Sequence, residues 1–434
     1  MDRRRLLIQT GAVAAGAAVA TRMPHLALAQ DAETLTFWDT LNGEPRSSLI
    51  EGLGDSFGEA NGVTVEHRGW TLEELQDTLP RSVDSNQGPW VAQVNNGESL
   101  QGPMIRGGQL VDLSPYIAEY EWDSFLQPSL AARCSYSADG TTFGTGQLWG
   151  IPSEAEIVGF YYNRQIFEDN GFEIPTTVAE FETLLQAIVD AGVTPIVYGT
   201  ADKWQAIHMF GEIHATMTTR EYLDGLIYRT GDQSFEDQSI IDAATKLVEW
   251  NNNGFFVEGF EALSGDDAAA LFQAGEGALL MQGSWQAPAV KESLGDNAGF
   301  FLMPPAEAGG TVLHVGGVAI PYSITTNAAD PDLSAKFINS LISPEAFDAW
   351  ISAGGLPAGE ISADKIVEGT VDGELYAAWN SALEADSLGH YLDWAAPGFY
   401  DELTGQLQSL LGGQIEPADF AKALQTFYAA SFTS

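Results

Sequence analysis

Glu154 and Glu156 stand two residues apart in a stretch, Glu154 to Tyr162, that follows Gly150-Ile151-Pro152 and is rich in β-branched and aromatic residues. That composition reads as a strand, on which both carboxylates share one face. Phe160, Tyr161 and Tyr162 then put aromatic surface on both faces. Two carboxyl groups so spaced fit a glycoside hydrolase, which needs them about 5 to 10 Å apart across the scissile bond. No nucleophile motif, metal-ligand cluster or glycine-rich phosphate loop accompanies them, and His208 and His214 are off the spacing of a helical zinc pair. The same carboxylates also fit a polar cleft that binds a neutral or a cationic solute, or the exposed start of a buried strand. No catalytic residue, metal site or cofactor is expected.

Composition narrows these choices. A chain of 434 residues, 45% hydrophobic and 18% charged, has material for large cores and two or three domains. Its net charge of −42, with 6 lysines among 18 basic residues, excludes a nucleic-acid partner, which requires basic surface. An acidic, lysine-poor surface suits solubility in high salt, so a salt-adapted source is expected. Cys134 is the single cysteine, so no internal disulfide can form, and with no nearby histidine it reads as structural.

Residues 1–29 read as a signal peptide: Arg3, Arg4 and Arg5, an uncharged run from Leu6 to Thr21, then Ala27-Leu28-Ala29. The apolar run is too short for a spanning helix. Asp2-Arg3-Arg4-Arg5-Leu6-Leu7 fits the twin-arginine export pattern, a pair of arginines followed by one variable residue and two apolar ones, and no cysteine marks a lipid anchor near Gln30.

The elements that must position the carboxylates follow an alternating grammar. Strands are predicted at Thr34 to Trp38, Val63 to His67 and Trp90 to Val94, with helices over Arg46 to Asn61 and Leu72 to Val83 between them. The pattern restarts after Tyr162. Thr177 with Glu180 forms a capping box, and Val178, Phe181, Leu184, Leu185 and Ile188 make one helical face. Strands follow at Pro195 to Tyr198, Ala278 to Gln282 and from Leu313 through Gly316 and Gly317, with helices between and after. This predicts an α/β protein of two lobes, each a mostly parallel sheet flanked by helices, with ligand-binding loops at the carboxyl ends of strands. Those ends carry Trp38, Asp39 and Thr40, then Gln93, Asn95 and Asn96.

The order of several segments resembles the extracellular solute-binding proteins of ABC sugar importers, a group that includes maltose- and glucose-binding proteins. The likeness rests on Gly107-Gly-Gln-Leu-Val-Asp-Leu-Ser-Pro-Tyr116, on Gly150-Ile-Pro152 before Tyr161-Tyr-Asn-Arg-Gln-Ile-Phe167, and on Pro175-Thr-Thr-Val-Ala-Glu-Phe181. It continues through Phe272-Gln-Ala-Gly-Glu-Gly-Ala-Leu-Leu-Met-Gln-Gly-Ser-Trp285 and Ala335-Lys-Phe-Ile338 before Ser343-Pro-Glu345. The resemblance implies a two-lobed periplasmic-binding-protein fold joined by crossover strands, with lobe 1 formed by 30–157 and 318–358 and lobe 2 by 158–317 and 359–434. It also implies an exported, monomeric carrier at the periplasmic or extracellular face, delivering a sugar to the transmembrane subunits of a permease. The sequence departs from the family at Gly88-Pro89-Trp90, where an Asp usually follows the Pro. It departs again at Gly316, where an Asp is expected, and at Ser352 or Ala353, where a Lys is common.

A sugar presents hydroxyls that donate and accept, and C–H faces that stack on aromatic rings. Trp38, Trp204, Trp285 and Trp394 are the candidate platforms. Asp39, Thr40, Gln93, Asn95, Asn96, Glu154, Glu156, His208 and His390 are the polar candidates, and Gly316 and Gly317 complete the expected ligand contacts. By the resemblance the two glutamates become hydroxyl acceptors. A binder of polyamines or quaternary amines, built on the same lobes with an aromatic cage, remains the competing reading, and a glycoside hydrolase the third.

Overall fold

The computed structural model describes residues 33–432; the signal segment lies outside the described residues. The chain runs through β1 (Thr34–Asp39), β2 (Thr64–Gly69), β3 (Val91–Gln93), β4 (Ser135–Tyr136), β5 (Gln147–Leu148) and β6 (Ala155–Asn163). It continues through β7 (Ile196–Val197), β8 (Leu279–Gly283), β9 (Ala298–Phe301), β10 (His314–Val318), β11 (Tyr322–Ile324) and β12 (Leu388–Gly389).

The first sheet has the order β11-β3-β1-β2. β1 pairs in parallel with both β2 and β3, which requires crossover helices, and Arg46–Asn61 and Leu72–Asp84 supply them. The second of these begins with a reciprocal capping box between Thr71 and Glu74, and buries Leu75, Leu79 and Val83 at helical spacing. The unusual Gly88-Pro89-Trp90 loop is held from the far end of β11. Asn327 accepts from the Gly88 N–H at 2.8 Å and donates to the Val83 carbonyl, while the Thr325 hydroxyl donates to the Pro89 carbonyl.

The second sheet follows the order β12-β10-β6-β8-β7, with β9 also on β6. The expectation of mostly parallel pairing describes the first sheet; the second is mixed. The reason is topological: β6 enters from the first sheet and runs antiparallel to β8, β9 and β10, while β7–β8 and β10–β12 stay parallel. β6 and β10 lie side by side, with Gly317 opposite Glu156 and Val318 opposite Ala155. Just beyond, Ile151 bridges Tyr322 of β11, so the two segments cross together between the sheets. A third segment joins them where Glu154 bridges Pro357.

Alternation along β6 feeds two separate cores. Ala155, Ile157 and Tyr161 pack into one, Val158, Phe160 and Tyr162 into the other. Helix Val178–Asp190 is capped by the Thr177 hydroxyl, which accepts from the Glu180 N–H. The predicted box is not reciprocal, however, because the Glu180 carboxylate turns to the N–H and hydroxyl of Thr176. Pro417 opens the last helix, whose Phe420 and Leu424 are buried while Phe427 and Tyr428 pack at the edge of the core.

Candidate functional site

A cavity of about 520 Å³ opens where the carboxyl ends of β1, β2 and β3 face the second sheet. From the first sheet it is lined by residues 40–46 after β1, 70–73 after β2, and Gln93 and Asn95 at the end of β3. From the second come Asp202, Trp204, His208, Asp266 and Trp285, and from the C-terminal segment Tyr391, Asp393, Trp394 and Tyr400. Glu156 and Ala319 reach it from the crossover pair.

One wall is a run of rings. Trp204 and His208 are one turn apart on helix Trp204–Ala215, so they share a face. Their ring centroids lie 4.9 Å apart, and Trp285 packs edge-on against both, at 5.7 Å from Trp204 and 5.8 Å from His208. Tyr391 continues the wall at 4.9 Å from His208, and Trp394 lies 5.3 Å beyond Tyr391. From the first sheet Trp70 adds a further indole, backed by the Arg68 guanidinium 3.5 Å from its ring centroid.

The polar groups fall into those held by protein partners and those left free. Gln93 uses its side-chain oxygen to accept from the N–H and hydroxyl of Thr40, at 2.9 and 2.8 Å. The Asp393 carboxylate accepts from Ser99 at 2.6 Å, and burial lifts its pKa to about 6 although the Ser99 bond resists. The Tyr400 hydroxyl lies 3.1 Å from Glu73 and 3.3 Å from the Asp202 carbonyl, tying the helix after β2 to the second sheet. His208 is kept neutral by burial, which pulls its pKa down to about 3, and its Nδ1 has no partner.

Glu156 differs from the rest. Burial pushes its pKa up to about 7, with Tyr391, Arg46 and Arg133 pulling the other way and Glu154 adding to the rise. The Tyr391 hydroxyl is close to it, yet has no hydrogen bond of regular geometry. Glu156 is thus partly exposed to the cavity, while the Tyr391 hydroxyl beside it is closed to solvent.

Of the residues picked out from sequence, Thr40, Gln93, Asn95, Glu156, Trp204, His208, Trp285 and Trp394 line the cavity. Seven others do not. Asp39 is fully buried, accepting from His67 Nε2 at 2.7 Å, from the Leu41 N–H at 2.9 Å and from the Tyr322 hydroxyl at 2.8 Å. Burial pulls the His67 pKa down, but the Asp39 bond outweighs it and leaves a net rise. Trp38 packs behind Trp70 at 5.0 Å. Asn96 is turned inward, donating to the Arg133 carbonyl at 2.7 Å. Glu154 is spent on Arg46 at 2.5 Å, so the two glutamates do not face the cavity as a pair. His390 is buried against Asp224 at 2.7 Å, and burial with the nearby Arg133 lowers its pKa to about 4 against the pull of Asp224.

Gly316 and Gly317 make room for a cation rather than for a ligand. Arg133 is 1% exposed and donates to the carbonyls of Gly316 and Leu388. A Cβ on Gly317 would stand 2.1 Å from the Arg133 Nη1, and both glycines have positive φ. Sequence reasoning missed Arg46, Trp70, Tyr391, Asp393 and Tyr400. Trp70 was within reach, because it directly follows the carboxyl end of β2. Tyr391 carries no local mark beyond its place after His390.

Residues 52–374, more than half the chain, match the model of a family described as bacterial extracellular solute-binding protein. The osmoprotective compounds-binding protein GgtB of Synechocystis sp. is 27% identical over 313 residues, covering 69% of this chain and 71% of that one. The alpha-glucosides-binding periplasmic protein AglE of Rhizobium meliloti is 24% identical over 341 residues, covering 74% of this chain and 70% of its own. Among solved structures, a chitin oligosaccharide binding protein superposes with a TM-score of 0.79 at 21% identity, over 92% of this chain and 99% of that one. The raffinose complex of the binding protein RafE gives 0.73, also at 21% identity, over 92% and 99%. At these identities the structural likeness is one of fold, and the fold is the two-lobed one.

Proposed function

Because the chain belongs to the bacterial extracellular solute-binding proteins, we propose that it captures a mono- or short oligosaccharide between its lobes and delivers it to the transmembrane subunits of an ABC importer. One observation carries this reading: a continuous ring wall of Trp204, His208, Trp285, Tyr391 and Trp394 stands beside polar side chains in one cavity. Rings stack on the C–H faces of a sugar, while Glu156, Asn95 and the neutral His208 meet its hydroxyls. A cavity of about 520 Å³ is in the range that encloses most of a small ligand. Relatives named for alpha-glucosides, raffinose and chitin oligosaccharide support the same class.

In this reading the protein binds and releases its cargo unchanged. Export by the twin-arginine route would deliver it folded, and 30–157 with 318–358 would close against 158–317 with 359–434 as a monomer. The paired crossover segments serve as the hinge. The acidic surface would keep it soluble in a salty exterior.

A thermal-shift panel of mono-, di- and trisaccharides, run beside acyclic polyamines and quaternary amines at low and high salt, tests it. A bound sugar raises the melting temperature by mass action, with a rise of about 2.7 kcal/mol in stability at about a hundredfold excess over Kd. Shifts from the acyclic amines with none from any sugar would overturn the proposal.

A further inference from the structure

Asn42 lies in the loop that leads from β1 along the cavity, and Gly43 follows it. In an Asn-Gly pair the glycine nitrogen can attack the asparagine side-chain carbonyl carbon, because no Cβ hinders the approach. The attack needs a loose backbone and a glycine N–H that is free to give up its proton. Five Asn-Gly pairs occur in the chain, beginning at Asn42, Asn61, Asn96, Asn170 and Asn253. The fold disarms four of them. At three helix ends the glycine N–H donates back to a helix carbonyl: Gly62 to Gly58 at 2.8 Å, Gly171 to Glu168 at 3.3 Å and Gly254 to Asn251 at 3.0 Å. Asn96 is 1% exposed with its amide fixed on the Arg133 carbonyl, and Gly97 is wedged against Trp394. Asn42 differs from all four. It is exposed in irregular chain, and the Gly43 N–H has no partner among the described residues. A Cβ at Gly43 would meet nothing within 4 Å. The Asn42 amide itself donates to the Trp70 carbonyl at 3.0 Å.

We propose that Asn42 is a site of spontaneous deamidation and, resting on the sugar reading above, that its conversion withdraws the protein from ligand capture. The Gly43 nitrogen loses its proton to a solvent base and bonds to Asn42 Cγ. The Cγ–Nδ2 bond breaks, and the leaving nitrogen takes a proton from water and departs as ammonia. Water then opens the cyclic imide. Cleavage at Cγ gives aspartate, while cleavage at the Asn42 main-chain carbonyl leaves the chain joined through Cγ and lengthened. The balance is water in and ammonia out, with no other reactant. Either product replaces an amide donor by a carboxylate that can only accept. That carboxylate faces the carbonyl of Trp70 and adds charge close to Glu44 on the same loop. Trp70 is the first sheet's indole on the cavity, so losing its tie to the loop after β1 loosens that side of the site.

The purified protein is held in mildly alkaline buffer for weeks, digested at intervals and read by peptide mass mapping. Asn42 should pass from amide to acid several times faster than the asparagine of any other Asn-Gly pair. Gly43→Ala, which the open space at that position admits, should slow the conversion strongly. Anion exchange then separates the aged chains by their added charge, and circular dichroism checks that they remain folded. In calorimetry with maltose, raffinose and chitobiose, the aged fraction should bind about tenfold or more weakly than the unaged fraction of the same sample. Conversion of another pair before Asn42, or a rate untouched by Gly43→Ala, would overturn the site. Equal affinity of the aged and unaged fractions would overturn its consequence for binding. Failure of unaged protein to bind any saccharide would overturn the sugar reading, and the peptide map would still decide the modification.

Discussion

The indole of Trp285 lies against the backbone of Gly283, so closely that a Cβ at Gly283 would stand 2.0 Å from the Trp285 Cζ3. The glycine ends β8, and the tryptophan is the middle residue of the short 3-10 turn, Ser284–Gln286, after it. Strand, turn and platform are therefore fixed as one unit. Gly283→Ala should displace the ring and weaken ligand binding by about tenfold, with Trp285→Ala at least as costly. Calorimetry with whichever sugar scores in the thermal panel checks this, and an unchanged affinity in both variants would remove Trp285 from the site.

Glu156, partly buried at the cavity wall, should also show its surroundings in the protein without ligand. Its native pKa, lifted to about 7, lies above that of the unfolded chain, so the folded state holds the proton more tightly. Stability from this group is fully present below the unfolded pKa and is lost as pH rises through about 7. Glu156→Gln resembles the protonated form. Its melting temperature should match wild type near pH 4.5 and exceed it at about pH 8. Parallel melting curves at the two pH values would contradict the assignment.

The Arg46–Glu154 pair joins the first turn of helix Arg46–Asn61 to the start of the crossover. Glu154 is almost completely enclosed, and Arg46 is partly so. Removing one partner strands the other, so Arg46→Met should cost about 3 kcal/mol in chemical denaturation. The double variant Arg46→Met with Glu154→Gln should recover most of that loss. A double variant no better than the single one would show that the pair is not the source.

Asp39 belongs to the scaffold, and Tyr322 is the way to test it without touching the cavity. Tyr322→Phe leaves Asp39 Oδ2 without its 2.8 Å donor. The expected loss is about 1–3 kcal/mol of stability, with ligand affinity within about twofold of wild type. A large loss of affinity at unchanged stability would return Asp39 to the binding surface.

Much of the fold was legible where signals are local. Helix Arg46–Asn61 was bounded to the residue, because its apolar spacing is regular and Gly62 ends it in a left-handed turn. The carboxyl ends of β1 and β3 led to Thr40, Gln93 and Asn95 because chain direction alone decides where such loops gather. Asp39 was legible as a residue at the right end of a strand, but its burial away from the cavity was not. Its partners His67 and Tyr322 are 28 and 283 positions away, and nothing in the sequence announces that pairing. His390 illustrates the same limit: it was singled out, while its neighbour Tyr391 faces the cavity. On so short a segment, which of two adjacent side chains turns inward is settled by packing against Asp224 and Tyr228. The second sheet was expected to be mostly parallel and is mixed, because β6 arrives from the first sheet and runs antiparallel to β8, β9 and β10, a long-range pairing that no local signal marks.

Along β6 the two cores divide the strand by parity: odd-numbered Ala155, Ile157 and Tyr161 go to one side, even-numbered Val158, Phe160 and Tyr162 to the other. Glu156 shares the even face. Gain or loss of a single residue after Pro152 would send that carboxylate into hydrocarbon and a bulky apolar side chain into the cleft. Descendants of this chain are free to trade the side chain at position 156 by point substitution, but not to alter its count from the strand's end. Lineages that diverge in cargo should therefore keep the length of this segment fixed while the letter at that one place drifts.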